Sequence, residues 1–378
     1  MSTRHYALPV ESTNWVVPGM ASAAFNWEYD EGRDRMLSLY EKGKTKQWNT
    51  NERIDWSQNI DIESQAFMPD EYIPIFGSSM WERLSRAEKD KVRHHYSAWL
   101  TSQFLHVEQG ALICAARTVE TVPDIDSKFY GATQVMDEAR HVETYSRYLQ
   151  EKLELAYPIN PHLKELLNQT LSDNRWDMTY LGMQIMIEGV ALAAFSMVRD
   201  FTEEPLAKAI NAYVMQDEAR HVAFGLLALK DAYADMDTAE LDEREEFVVE
   251  ASYLLRDRFL AEELWEHFGM DVDECVRYVD NHQMMGEFRK ALFSRVVPNV
   301  KKIGLWGPKV QKAFVDMGVM QFSDLDPDES FARDEQIAEE FDRLIAAGRH
   351  LTPTGAFSSD AEQVAETIAV GSEEGVSS

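Results

Sequence analysis

The sequence predicts an all-α protein: a four-helix bundle core with additional flanking helices. Three observations predict it. Helix-forming residues dominate the 378-residue chain, with no alternating run of β-branched residues. Long stretches of helical periodicity lie between turn signals at Pro123, AYPINP (156–161), Glu204-Pro205 and Pro298. The hexamer DEARHV stands at 137–142 and again, letter for letter, at 217–222. Repetition of that kind signals a repeated structural unit.

Each element follows from local signals. Residues 1–84, rich in aromatic and turn residues, read as an N-terminal extension packing on the bundle, with one amphipathic stretch over 31–48. The main helical domain is expected over 85–322. Ser85 and Glu88 have capping-box spacing and open a helix that runs to Val122, where Pro123 stops it. A second helix is expected over 125–154 and, past the AYPINP loop, a third over 173–201. Pro205 suits a first helical turn and starts a fourth that reaches 236. A fifth is expected over 238–268, a sixth over 271–294 and a shorter one over 307–319. Residues 323–378 read as an acidic, partly disordered tail, with a helical stretch at 335–348.

The formal net charge is −29, and residues 323–378 carry 14 acidic and 3 basic side chains. Phosphate-rich partners would be repelled, so nucleic acid is excluded as a target. Cys114 and Cys275 form no motif. The first residues, MSTRHYALPV, lack the apolar stretch of a signal peptide, so a cytoplasmic protein is expected. The stretch 178–198 approaches the length of a bilayer span but carries Glu188 at its middle, which is expensive in lipid. A central helix of a soluble protein is expected there, with no membrane partner.

Glu188 has a counterpart. Glu108 is the one acid in the apolar middle of helix 85–122. From Glu108 to Glu138 is 30 residues, and from Glu188 to Glu218 is 30 again. Each interval has a turn signal near its centre. Folded as helical hairpins, at 1.5 Å per residue, both lone glutamates end level with the Glu-x-x-His of their partner helices, Glu138/His141 and Glu218/His221. A residue and the one three further on share a helix face. Two hairpins side by side thus gather four carboxylates and two imidazoles. Two divalent cations would balance four buried carboxylates, and a carboxylate-rich set with few nitrogens suits iron or manganese better than zinc. The alternative is that the hexamers are solvated charge faces and the lone glutamates paired core acids.

On these residues the chain resembles the ferritin-like di-iron oxidoreductases: monooxygenase hydroxylases, the ribonucleotide reductase small subunit and p-aminobenzoate N-oxygenases. The stretch LYEKGKTKQWNTNERIDWS (39–57) also resembles the N-terminal segment of the N-oxygenase type. The resemblance implies a ferritin-like bundle and metal ligands Glu108, Glu138, His141, Glu188, Glu218 and His221. It implies two Fe ions, or Mn/Fe, with O₂ as co-substrate. Asp137 and Asp217 match acids that bond the metal-bound imidazole of the other helix. Arg140 and Arg220 read as ion-pair partners orienting the bundle, with surface positions the alternative.

Three departures and one match bear on chemistry. Where monooxygenase hydroxylases carry a Thr four residues after the second lone Glu, this chain has Leu192, and the matching residue after Glu108 is Leu112; an apolar pocket is expected there. The third His of the N-oxygenase type is replaced by Val214. Tyr145 lies four residues after His141, at the position of the reductase subunit's radical tyrosine, and is either redox-active or a packing residue. His94, His95 and His106 read as ordinary helix histidines.

The expected function is that of an O₂-activating oxygenase or oxidase acting on a small organic substrate, aromatic or an amine, in a buried apolar pocket. An external electron donor, ferredoxin or reductase, is implied, and relatives suggest a homodimer. Radical generation through Tyr145 and ferritin-type iron storage are the alternatives.

Overall fold

A computed structural model of the chain describes residues 16–17, 23–26, 29, 32–62 and 68–346. Apart from an antiparallel pairing of Val16–Val17 (β1) with Ala23–Ala24 (β2), the described residues form helices and their connections. The end expected to be disordered, 354–378, lies outside the described residues.

Two helical hairpins form the bundle. Helix α1 (Asp34–Thr45) precedes them. Helix α2 (Arg86–Thr121) starts at the Ser85/Glu88 capping box, in which Glu88 Oε2 accepts from the Ser85 amide at 2.7 Å. It ends as Val122 turns extended before Pro123, as the residue ahead of a proline tends to do. Only three residues separate α2 from α3 (Ile125–Tyr148), whose first turn is capped by Asp124. A short helix, α4 (Pro161–Ser172), leads to the second hairpin. That pair is α5 (Trp176–Phe201) and α6 (Pro205–Ala234), again with three residues between them. Glu204 accepts from the amides of Leu206 and Ala207, and Pro205 occupies the first turn. Helix α5 is mostly buried, with 83% of its most apolar window inside the protein, so its apolarity serves the core.

The flanking elements depart from the sequence expectation in several places. Helix α4 was not anticipated; its start comes from Asn160, whose side chain accepts from two amides, and from Pro161 behind it. The expected helix 238–268 breaks into α7 (Thr238–Asp257), a 3₁₀ turn at Arg258–Leu260 and α8 (Glu262–His267), with Ala261 left-handed at φ 54°. The expected helix 271–294 breaks at His282 into α9 (Val272–Asn281) and α10 (Gln283–Ala291). Beyond these lie α11 (Val296–Lys302), α12 (Pro308–Asp316) and α13 (Pro327–Ala346). Pro298 sits inside the first turn of α11 and does not end a helix there. Helix α13 begins earlier than the expected 335, and its buried Asp334 pairs with Arg295 at 2.9 Å.

Two glycines set the distances that matter for the site. A Cβ on Gly43 would meet Thr133 Oγ1 at 2.8 Å, so α1 lies directly on α3. A Cβ on Gly225 would meet Gln184 Cβ at 2.6 Å, so α6 lies close against α5. The core around them is filled by large side chains, among them Trp81, Trp99, Trp265, Phe195 and Phe224.

Candidate metal centre

Four helices converge at one height. Helix α2 brings Glu108, α3 brings Glu138 and His141, α5 brings Glu188, and α6 brings Glu218 and His221. None of the six is more than 2% exposed. Their ligating atoms form two groups, each with all its atoms within 4.8 Å of one another. One holds Glu108, Glu138, His141 and Glu218; the other holds Glu138, Glu188, Glu218 and His221. Glu138 and Glu218 belong to both.

The imidazoles are held from behind. His141 Nδ1 faces inward, 3.1 Å from Glu108 Oε2, 3.3 Å from Glu138 Oε2 and 3.2 Å from Glu218 Oε1. Its Nε2 faces outward to Asp217 Oδ2 at 3.0 Å. His221 repeats the pattern, with Nδ1 at 3.1 Å from Glu138 Oε1 and Nε2 at 3.2 Å from Asp137 Oδ2. Each aspartate therefore faces the histidine of the other helix. A carboxylate on Nε2 keeps the proton there and leaves the Nδ1 lone pair facing the centre.

Behind the aspartates lies a buried ionic layer. Arg140 donates to Asp137 Oδ1 and to Asp217 Oδ2, both at 2.6 Å, and to Gln47 Oε1 at 2.6 Å. Arg220 pairs with Asp217 and with Asp137, the latter at 3.5 Å. Both arginines thus link α3 and α6, Arg140 buried and Arg220 partly exposed. The Trp48 indole donates to Asp217 Oδ2 at 2.9 Å, and Gln47 Nε2 donates to Asp137 Oδ1 at 2.6 Å. These two residues reach the layer because α1 lies so close to α3.

Sequence reasoning missed Gln47 and Trp48, and two further amides. Gln134, one turn before Glu138, donates to Glu138 Oε1 and Glu188 Oε1, each at 3.1 Å. Gln184, one turn before Glu188, donates to Gln134 at 3.4 Å. The signal was available: each Gln stands four residues before a site glutamate. In addition, Leu181–Ile187 forms a π-helical turn directly before Glu188. Such turns recur at functional sites, where they re-aim side chains.

Burial and crowding set the charge states. Burial, and then the Glu218 carboxylate, push Glu108 and Glu188 well above their ordinary value. Burial acts on Glu138 in the same direction, but His221 and His141 outweigh it and hold it low. Burial pulls His141 down, yet Glu108, Asp217 and Glu138 raise it well above its ordinary value. His221 is raised likewise, against burial, by Glu138 first. Asp217 is held well below, despite burial, by Arg220, His141 and Arg140. Protonated imidazoles therefore neutralise the carboxylates when nothing else does.

The residues present fit a pair of metal ions. Glu108 Oε1, Glu138 Oε2, Glu188 Oε2, Glu218 Oε1 and His221 Nδ1 are buried and make no hydrogen bond. Orphaned acceptors that converge in this way are costly unless a cation receives them. Four carboxylates and two neutral imidazoles offer the hard, oxygen-rich set that iron and manganese take.

The other sequence candidates fall around this centre. The buried Tyr145 hydroxyl donates to Asn211 Oδ1 at 3.1 Å. Leu192 and Val214 are fully buried, whereas Leu112 is half-buried. His94 and His106 bond the carbonyls of Leu153 and Tyr157, and His95 the Tyr157 hydroxyl. An apolar seam runs along α2 from Phe104, one turn before Glu108, past Leu100 to Tyr96. Tyr145 and Asn211 line its inner end, and Phe259 and Phe288 its outer end. Leu112 and Leu192 are not among its walls.

The fold has a counterpart among solved structures. The chain is similar to the dimanganese(II) NrdF of Streptococcus sanguinis, with 14% identity, 78% of this chain and 99% of that one covered, and a TM-score of 0.50. It is also similar to a variant of an R2-like ligand-binding oxidase with an anaerobically reconstituted Mn/Fe cofactor, with 20% identity, 75% and 97% covered, and a TM-score of 0.42. The first likeness speaks to the fold. No curated protein sequence matches at a significant level. The family model of the p-aminobenzoate N-oxygenase AurF matches residues 30–304. That span takes in α1 through α11 and every side chain of the centre, so the chain belongs to the p-aminobenzoate N-oxygenase AurF family and is a ferritin-like oxidoreductase with a di-metal centre.

Proposed function

We propose that this chain is a di-iron N-oxygenase acting on the amino group of an apolar, aromatic-type substrate. The observation that carries the reading is the pair of donor groups sharing Glu138 and Glu218, with Glu108 one turn along α2 from Phe104 in the wall of an apolar seam. Glu108 and His141 would hold one ion and Glu188 and His221 the other, with Glu138 and Glu218 within reach of both. When bound, the metal pair supplies the redox chemistry that activates O₂.

The protein's own groups supply the rest. Asp137 and Asp217 orient the imidazoles. Gln134 holds Glu138 and Glu188 in register. Phe104, stacked edge-on against Phe195 at 4.7 Å, keeps the seam dry beside Glu108. Electrons come from an acidic carrier protein. Support for such a donor is a cleft whose charged residues on α1 and its C-cap, on α6 and on α11 are all cations: Arg35, Lys42, Lys46, Arg220, Lys230 and Lys302. Its acids, Asp328, Asp334 and Glu335, all come from α13. Arg220 there touches the carboxylates that hold both histidines.

The test is metal analysis with Mössbauer and EPR spectra of protein produced in iron, followed by a screen of amines under O₂. Two metals per chain and an N-oxygenated product are expected. Loss of stoichiometric metal sinks the reading, and a sharp tyrosyl signal would transfer it to radical generation by Tyr145.

A further inference from the structure

The site glutamates are unequally supported, and a second repeat in the sequence shows where. Tyr-x-x-x-Gln-x-x-x-Glu stands at 130–138 and again at 180–188, ending on Glu138 and Glu188. The same positions ahead of Glu108 and Glu218 hold Leu100 and Phe104, and Ile210 and Val214. Leu100, Phe104 and Ile210 line the apolar seam, together with Tyr145 and Tyr148 from the end of α3 and Val198 from the end of α5. Gln134 and Gln184 lie on the other side of the centre, towards the starts of α3 and α5, and both are fully buried. The centre thus has an apolar side and an amide side.

On the amide side the donors are fixed in advance. Gln134 Nε2 donates to Glu138 Oε1 and to Glu188 Oε1, each at 3.1 Å, and Gln134 Oε1 accepts from Gln184 Nε2 at 3.4 Å. The Gln134 amide therefore has one orientation, since reversing it would set its oxygen against two carboxylates. Gly225 lets α6 close over Gln184. Phe224, on the same turn, packs 4.1 Å from Tyr130 and 5.3 Å from Tyr180, and Tyr130 stands edge-on to His221 at 6.5 Å. Glu188 is held through Oε1 while its Oε2 makes no hydrogen bond. Glu108 has no such support. Among the described residues it bonds only His141, itself a candidate ligand, at 3.1 Å. Once His141 turns its lone pair to an ion, that bond is lost and nothing else presets Glu108. A donor already held in place loses less freedom on binding.

We propose that Gln134, oriented by Gln184, makes the two ions unequal: the Glu188/His221 ion binds first and more tightly, and the Glu108/His141 ion second and more loosely. Both glutamines are positioning residues, acting through Glu138 and Glu188. The proposal rests on the di-metal assignment and adds to it an order of loading. The looser ion is the one beside Phe104 and the seam, so the side open to incoming molecules is also the side where the metal exchanges.

The experiment is anaerobic titration of the metal-free full chain with Mn(II), read by calorimetry and by the EPR signal of unbound Mn(II). Wild type is expected to bind in two steps, the first roughly tenfold or more tighter. Repulsion between cations splits the steps even in a symmetrical site, so the deciding result is which glutamate carries the tight one. Glu108→Gln is expected to keep the tight step and Glu188→Gln to lose it. Gln134→Met, similar in shape but without a donor, is expected to weaken the first step by roughly ten- to hundredfold and the second far less. Gln184→Met leaves both carboxylate bonds possible and is expected to weaken the first step by roughly two- to tenfold, which keeps the test open should Gln134→Met fold poorly. Loss of the tight step in Glu108→Gln would overturn the proposal. So would equal weakening of both steps in the glutamine variants, the result of a merely structural role, or no change in either. Wild type that binds no Mn(II) and no Fe(II) would overturn the di-metal assignment as well.

Discussion

The Trp48 indole donates to Asp217 Oδ2 at 2.9 Å, and the same oxygen lies 3.0 Å from His141 Nε2. A residue just past the helix that precedes the bundle thereby helps orient an imidazole at its centre. Asp217→Asn should weaken metal binding by roughly ten- to hundredfold, the usual effect of losing the carboxylate behind a ligating imidazole. Trp48→Phe should weaken it less, since Arg140 still holds Asp217. Competition with a chelator measures both, and equal affinities across the three proteins would remove Asp217 from the centre.

The metal-free protein should lose stability as pH rises. Glu108 and Glu188 titrate above their ordinary 4.5, and His141 and His221 above 6.5, so the folded state binds more protons than the unfolded. Stability from the two glutamates is complete below their ordinary value and is lost as pH climbs through the raised one; the histidines behave likewise from 6.5 upward. Glu138 and Asp217, held low, lose their contribution in acid. The Tm of metal-free protein should therefore peak in mild acid and decline from about pH 5 to 8. Loaded with Fe(II), whose ligands must be deprotonated, the protein should reverse that slope and release protons on binding. Thermal scans and Fe(II) titration in weak buffer test this; a flat metal-free profile would contradict it.

Glu188→Gln should separate charge balance from shape. The amide keeps the volume and can still meet Gln134, which donates to Glu188 at 3.1 Å. One negative charge is lost, so the second ion should bind poorly and metal analysis should fall towards one per chain. Metal-free Tm should not drop, because the substitution removes a buried carboxyl raised by Glu218. Two tightly held metals in the variant would show that Glu188 is not a ligand.

The cationic cleft should matter to a protein donor and not to a small reductant. Lys42 pairs with Glu335 at 2.9 Å and Lys302 with Asp328 at 2.7 Å, so α13 already occupies part of it. Lys42→Glu with Lys302→Glu should slow reduction by an acidic [2Fe–2S] ferredoxin and flatten its salt dependence, while dithionite reduction stays unchanged. Stopped-flow spectra read both rates. Equal ferredoxin rates in wild type and variant would place the donor elsewhere.

Much of the centre was legible because helices convert sequence spacing into height. Two intervals of 30 residues, each folded at a three-residue connection, place Glu108 level with Glu138 and Glu188 level with Glu218. The hairpin needs only the rise per residue and a turn signal. Breaks in the flanking helices were harder to read. At Arg258–Ala261 no proline or glycine marks the turn, and a left-handed alanine is tolerated because neighbouring elements hold it. Helix α4 was missed because its start depends on one asparagine cap.

By itself the sequence determined an all-helical chain and the six acidic and imidazole groups that share one level, since periodicity and spacing are local properties. Tertiary structure alone decided what stands behind and around them. Trp48 and Gln47 reach the aspartates only because Gly43 lets one helix lie on another. Gln134 spans two helices, joining Glu138 to Glu188. Such contacts join residues tens to hundreds of positions apart, and no one-dimensional period records which surfaces close packing will bring together.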